Sequence, residues 1–130
     1  MGETKKVLVV DDEPDFAAIV KTWLEREGFS VEVAYDGVEG LAKVKGPGGP
    51  PDAIVLDVMM PEKDGYAVCQ ELKADPKYAD IPILLLTAVG THVTSTRYSH
   101  YDGMTMEADD YLAKPASAKE IARCIRRMLE

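Results

Sequence analysis

Short apolar runs alternate along this chain with longer stretches in which apolar residues recur every three or four positions. Lys6-Val7-Leu8-Val9-Val10 is a β-branched run that stops at Asp11-Asp12, which predicts a strand. Over residues 15–27, Phe16, Ile19, Val20, Trp23 and Leu24 fall at helical spacing. Pro14 stands near the first turn and Gly28 follows the last. Residues 30–35 alternate, with Val31 and Val33 on one side, and predict a second strand. Val38, Leu41, Ala42 and Val44 then give a short helix. Gly46-Pro47-Gly48-Gly49-Pro50-Pro51 is a loop, because neither a helix nor a strand ladder tolerates it. Ala53-Ile54-Val55-Leu56 is a fully apolar strand ending in Asp57, and residues 65–74 form a helix with Val68 and Leu72 inward. Residues 81–86 form another apolar strand, ending in Thr87, and Tyr111-Leu112-Ala113 is a short strand ending in Lys114-Pro115. The last helix opens on a Ser-x-x-Glu capping box, Ser117 to Glu120.

The order is strand then helix, five times. Strands that are apolar throughout, rather than alternating, are buried on both faces, which means a parallel sheet. The expected fold is α/β: a doubly wound five-stranded parallel sheet flanked by helices, with right-handed crossovers. The expectation is one domain over residues 1–130, with an ordered core at about residues 4–129 and no output domain in this chain.

Composition narrows the function. The chain has 130 residues, 46% apolar and 29% charged, which is globular composition. Its net charge of −8 repels phosphate backbones and anionic lipid, so direct nucleic-acid binding and a membrane role are not expected. No apolar run approaches the roughly 20 residues that span a bilayer, and the first six residues have neither a signal-peptide core nor a myristoylation pattern. Cys69 and Cys124 are far apart and fit no metal spacing. They read as reduced thiols of a cytoplasmic protein.

In open α/β sheets ligands bind beyond the carboxyl ends of the strands. This chain puts Asp11 and Asp12 there after strand 1, Asp57 after strand 3, Thr87 after strand 4 and Lys114 after strand 5. An Asp after a strand is often only a turn or helix-capping residue, and a lone Thr or Lys is usually structural or solvated. Five such residues on one edge of one sheet are hard to assign to chance. Clustered carboxylates disfavour one another's ionised forms, and a divalent cation removes that conflict. Oxygen donors without His or thiolate suit Mg²⁺, with Mn²⁺ as a substitute. One carboxylate is then left to act as nucleophile.

These residues stand in quotable motifs: Val9-Val10-Asp11-Asp12-Glu13-Pro14, Leu56-Asp57-Val58-Met59-Met60-Pro61-x-x-Asp64-Gly65, Leu86-Thr87-Ala88, and Ala108-Asp109-Asp110-Tyr111-Leu112-Ala113-Lys114-Pro115. From about residue 4 onward the chain resembles a response-regulator receiver domain of two-component signalling, a flavodoxin-like fold. The resemblance implies Asp57 as phosphoacceptor, Asp12 as direct metal ligand, Asp11 as its partner through water, and the backbone carbonyl of Met59 as a further ligand. It implies Thr87 and Lys114 as the phosphoryl-contacting pair, Thr87 and Tyr111 as the switch pair, and Lys114-Pro115 as a cis peptide. The resemblance also implies that Met59 and Val89, two past Asp57 and two past Thr87, line the path of the hydrolytic water and tune lifetime. The implied function is a phosphorylation-activated switch of a phosphorelay. Its donor is a sensor histidine kinase or histidine phosphotransfer protein, and its downstream protein target is not named by the sequence. The domain would be a stoichiometric phosphoacceptor that catalyses its own phosphorylation and slow dephosphorylation, rather than an enzyme with turnover. The alternative is a degenerate receiver acting only as a protein-interaction module.

The chain departs from the family pattern in places. The segment between Thr87 and Lys114 is longer than usual by about a turn and rich in Thr, Ser, His and Tyr, so its helix is expected to be short or irregular. His92 and His100 within it have no nearby acid or thiol at ligand spacing and read as solvated. Glu107 replaces the usual Gly before Ala108, and Ala116 stands where many relatives have Phe. In the last helix Arg123, Arg126 and Arg127 read as a basic stripe, either a solvated face or a partner-docking face.

Overall fold

The computed structural model of the chain describes residues 4–58, 65–87, 110–113 and 117–129. In chain order the elements are β1 (Lys6–Val10), α1 (Pro14–Arg26), β2 (Ser30–Ala34), α2 (Gly37–Val44), β3 (Ala53–Asp57), α3 (Gly65–Ala74), β4 (Ile83–Thr87), β5 (Asp110–Ala113) and α4 (Ala118–Met128). The helix expected between Thr87 and Lys114 lies outside the described residues. The strands form one five-stranded sheet in the order β2-β1-β3-β4-β5, and every pairing is parallel.

The apolar strands are explained by burial on both faces. Val7, Val9, Val55, Leu84 and Leu86 point to one side and pack with Val20 and Leu24 of α1 and Ile121 and Ile125 of α4. Their immediate neighbours Leu8, Val10, Ile54, Leu56 and Leu85 point to the other, against Leu41 and Val44 of α2 and Val68 and Leu72 of α3. Each such side chain, taken fully out of water, stabilises the fold by about 1.5–3 kcal/mol before chain entropy is counted. The two-period of the strand thus builds two cores, one per face. Among the described residues no helix is long and apolar enough to cross a membrane.

Local chemistry sets the element ends. The predicted capping box is present: Glu120 N–H donates to Ser117 Oγ at 3.1 Å and Ser117 N–H donates to Glu120 Oε1 at 3.0 Å. At α2, Asp36 Oδ1 accepts from Glu39 N–H at 2.7 Å, while Glu39 Oε1 accepts from Tyr35 N–H at 2.8 Å. That second bond takes Tyr35 out of the ladder, so β2 stops at Ala34 rather than at residue 35. β4 begins at Ile83, two residues later than the apolar run, because Pro82 has no N–H to donate. Its carbonyl still accepts from Ile54 N–H at 3.0 Å.

The edge of the sheet at the strand starts is closed by one lysine. Lys6 N–H donates to Asp52 Oδ2 at 2.7 Å, and Asp52 N–H returns a bond to the Lys6 carbonyl at 2.7 Å. Lys6 Nζ reaches the carbonyls of Gly48 and Gly49 at 3.2 and 2.9 Å. The Pro/Gly loop is therefore tied to β1, and its turn is made at Gly49, where φ is +86°.

Candidate functional site

The strand order reverses between β1 and β3, since the chain first moves outward to β2 and then returns past β1. That reversal opens a crevice at the carboxyl ends of the two strands. Val10 is paired with Leu56, so Asp11 and Asp57, each one residue further on, come abreast on adjoining strands. Both are 1% exposed. Asp12, the next residue, is half-buried at the mouth.

Each acid is held from its own backbone. Asp11 N–H donates to the Ala34 carbonyl at 2.9 Å, which extends the β1–β2 ladder by one residue. Asp11 Oδ1 accepts from Glu13 N–H at 2.9 Å, turning the chain into α1, where Glu13 is the N-cap residue and Pro14 begins the helix. Asp57 ends β3, and the residue after it is still in the ladder: Val58 N–H donates to the Leu86 carbonyl at 3.0 Å. The Val58 carbonyl then accepts from Gly65 N–H at 3.1 Å, bringing the first turn of α3 down onto the acid-bearing strand end. A Cβ on Gly65 would sit against the Asp57 carbonyl and 2.9 Å from Val58 Cα, so only glycine fits. The sequence showed Gly65 as a motif residue, but not this reason for it.

One carboxylate oxygen from each of Asp11, Asp12 and Asp57 lies within 4.8 Å of the others. Two full negative charges at that separation repel by about 3.5 kcal/mol at an effective dielectric of about 20. A cation among them converts repulsion into attraction. The donor set is hard oxygen only, without imidazole or thiolate, and fits a divalent ion of the Mg²⁺ type rather than zinc.

Of the other predicted site residues, Thr87 ends β4, with its backbone beside Ala113 of β5, so it stands on the same sheet edge as Asp57. Tyr111 lies on β5 next to Leu85 and is 39% exposed, turned toward solvent rather than into the core. Lys114, Pro115, Met59 and Val89 lie outside the described residues, as do His92, His100 and the proposed cis peptide. The basic stripe expected in the last helix is divided. Arg127 turns to Asp110 of β5 at 3.2 Å, and Arg126 pairs with Glu27 at the end of α1. Cys69 and Cys124 are buried on opposite faces of the sheet. The Cys124 thiol is pushed up from its ordinary value by burial and, secondarily, by the Asp110 carboxylate.

A doubly wound parallel sheet with an acidic triad at its switch point is the arrangement expected of a receiver domain. The chain belongs to that family: the family model for the response regulator receiver domain matches residues 7–126. Among curated proteins, the chain is 45% identical over 125 residues to the "Probable transcriptional regulator ycf27" of Cyanophora paradoxa, covering 96% of this chain and 48% of that protein. It is 39% identical over 124 residues to the "DNA-binding dual master transcriptional regulator RpaA" of Synechocystis, covering 95% and 48% respectively. The chain thus spans about half the length of these curated relatives. Among solved structures, a signal receiver domain of a signal transduction histidine kinase from Syntrophus aciditrophicus matches with a TM-score of 0.84 at 33% identity, covering 97% of this chain and 90% of that one. The chemotaxis response regulator CheY4 of Vibrio cholerae matches with a TM-score of 0.81 at 30% identity, covering 98% and 100%.

Proposed function

We propose that Asp57 is the residue that takes the phosphoryl group, from a phosphohistidine on a sensor kinase or a histidine phosphotransfer protein. The observation that carries this reading is the buried Asp57 within 4.8 Å of Asp11 and Asp12, in a chain of the receiver family. An Asp57 carboxylate oxygen attacks phosphorus, the phosphorus–nitrogen bond to histidine breaks, and the histidine nitrogen leaves with the electron pair. The product is an acyl phosphate. Asp11, Asp12 and Asp57, with the backbone carbonyl of Met59, would hold Mg²⁺, which supplies charge neutralisation to the transferring phosphoryl oxygens. Asp11 orients through the Glu13 N–H, and Gly65 fixes the backbone behind Asp57.

Thr87 and Lys114 would contact the phosphoryl group through charge-assisted hydrogen bonds, each worth about 1.5–3 kcal/mol. If about 3 kcal/mol of this is differential, a 99:1 inactive-to-active ratio moves roughly 150-fold, to a majority of active molecules. Tyr111, exposed on β5, would read such a change. The domain acts once per phosphoryl group, as a stoichiometric acceptor in the cytoplasm. Relatives twice its length are named transcriptional regulators. By analogy this domain is the input part of such a regulator, with DNA contact left to other sequence, because its own charge of −8 opposes it. An intact acid triad speaks against a degenerate, binding-only receiver.

Incubation with acetyl phosphate or phosphoramidate and Mg²⁺, followed by intact mass measurement, tests the assignment. One phosphoryl group is expected on the wild type and none on Asp57→Asn. An equal mass gain in both would overturn it.

A further inference from the structure

Away from the acidic edge, on the face carrying α1 and α4, a groove of about 160 Å³ opens between these two helices. It is lined by Trp23 and Glu27 on one side and by Lys119, Ala122, Arg123 and Arg126 on the other. Three cations therefore meet one carboxylate, in a chain whose acids outnumber its Lys and Arg by 23 to 15. Glu27 is taken up by Arg126. Among the described residues neither Lys119 nor Arg123 has an ion-pair partner, although both are exposed and stand at i, i+4, where like charges destabilise a helix. Trp23 forms the apolar wall and is half-buried, with Arg26 on its ring at 6.0 Å.

We propose that this groove docks an acidic segment of a partner protein, one bulky apolar side chain seating against Trp23 and Ala122 and flanking carboxylates pairing with Lys119 and Arg123. Charge complementarity selects this occupant. A second copy of the chain docking through the same face about a two-fold axis would bring basic groove onto basic groove. A nucleic acid meets the repulsion of the whole molecule, whose net charge is −8. A short acidic segment makes its contacts within a Debye length of the two cations and is screened from the rest.

Trp23 is the only tryptophan and lines this groove, so its fluorescence senses binding there; it also borders Ala18, Ile19 and Thr22 of α1, and the Lys119 and Arg123 variants therefore localise the signal to the groove. The probe is a short synthetic peptide with Leu and Phe flanked by Asp and Glu. Titration should shift Trp23 emission saturably. High salt should weaken binding, and Lys119→Glu with Arg123→Glu should weaken it by about tenfold or more. A thermal melt confirms that the double variant folds, and Lys119→Gln with Arg123→Gln is the milder replacement. Phosphorylation by acetyl phosphate should be unchanged in either. The inference is overturned by no emission change, by equal binding of a peptide with Lys in place of Asp and Glu, or by equal binding to the charge-reversed variant. It is also overturned if a DNA or RNA oligonucleotide binds the groove more tightly than the peptide, or if sedimentation shows a dimer that the double variant abolishes.

Discussion

Gly65→Ala places one methyl group where the fold has no room for it. The added Cβ would lie 2.9 Å from Val58 Cα and press on the Asp57 carbonyl. Carbon atoms pack best about 3.5–4.0 Å apart, so the overlap is roughly 0.6–1.1 Å. The opposing atoms are backbone and cannot rotate aside; either α3 lifts or the strand end bends. Overpacking of this kind costs about 1–3 kcal/mol. Alanine's better helix propensity returns at most about 0.5–1 kcal/mol, and less at the first helical residue. A net loss of about 1–2 kcal/mol corresponds to a melting temperature lower by roughly 3–10 °C in a domain of this size. The displaced backbone is that of Asp57, so the rate of phosphorylation by acetyl phosphate should fall together with the melting temperature. Gly48→Ala is the control, because a Cβ there meets nothing within 4 Å. Circular-dichroism melts and phosphorylation rates for the two variants decide the matter. A Gly65→Ala protein as stable as wild type and as readily phosphorylated would refute the steric reasoning.

Asp12→Ala should weaken Mg²⁺ binding yet leave thermal stability without metal equal or higher, because it removes one of three mutually repelling carboxylates; metal titration and paired melts would show it, and unchanged affinity would count against the role. The raised Cys124 thiol keeps its proton in the fold at a pH where the unfolded chain has lost it. Its contribution to stability is therefore whole below the ordinary thiol value of 9.0 and is lost as pH rises through the folded value. Urea midpoints for wild type and Cys124→Ala should converge between neutral and strongly alkaline pH, and a gap that widens would contradict the direction. Met59 and Val89 are apolar and cannot orient a hydrolytic water, so the acyl phosphate should decay slowly, and Met59→Asn or a polar residue at Val89 should shorten its lifetime. Decay after donor removal, in Mg²⁺, would give the opposite ranking if this reading were wrong.

The parts of the fold readable from the chain were those governed by local pattern. Uninterrupted apolar residues at Val7–Val10 and Ala53–Leu56 announce burial on both faces, and strand ends at Asp11 and Asp57 follow once the sheet is known to be parallel. Features depending on what another segment does were not readable. Tyr35 looks like strand until Glu39 takes its N–H. The arginines of α4 look like one stripe until Glu27 and Asp110, distant in sequence, draw two of them apart. Gly65 needs its bareness because the backbone of Asp57 and Val58 lies against the start of α3, a contact that periodicity does not reveal. Lys114 was expected at the site from its place after the fifth strand and from its motif, and it lies outside the described residues.

The loop tied down by Lys6 lies across the length of the strands from the acids. A fluorescent label, an affinity tag or a whole inserted domain joined near Gly48 would burden the end of the sheet away from Asp11 and Asp57, where the loop is held by hydrogen bonds from Lys6 to Gly48 and Gly49. For anyone wanting to watch this switch inside a cell, that end is the place to attach the lamp.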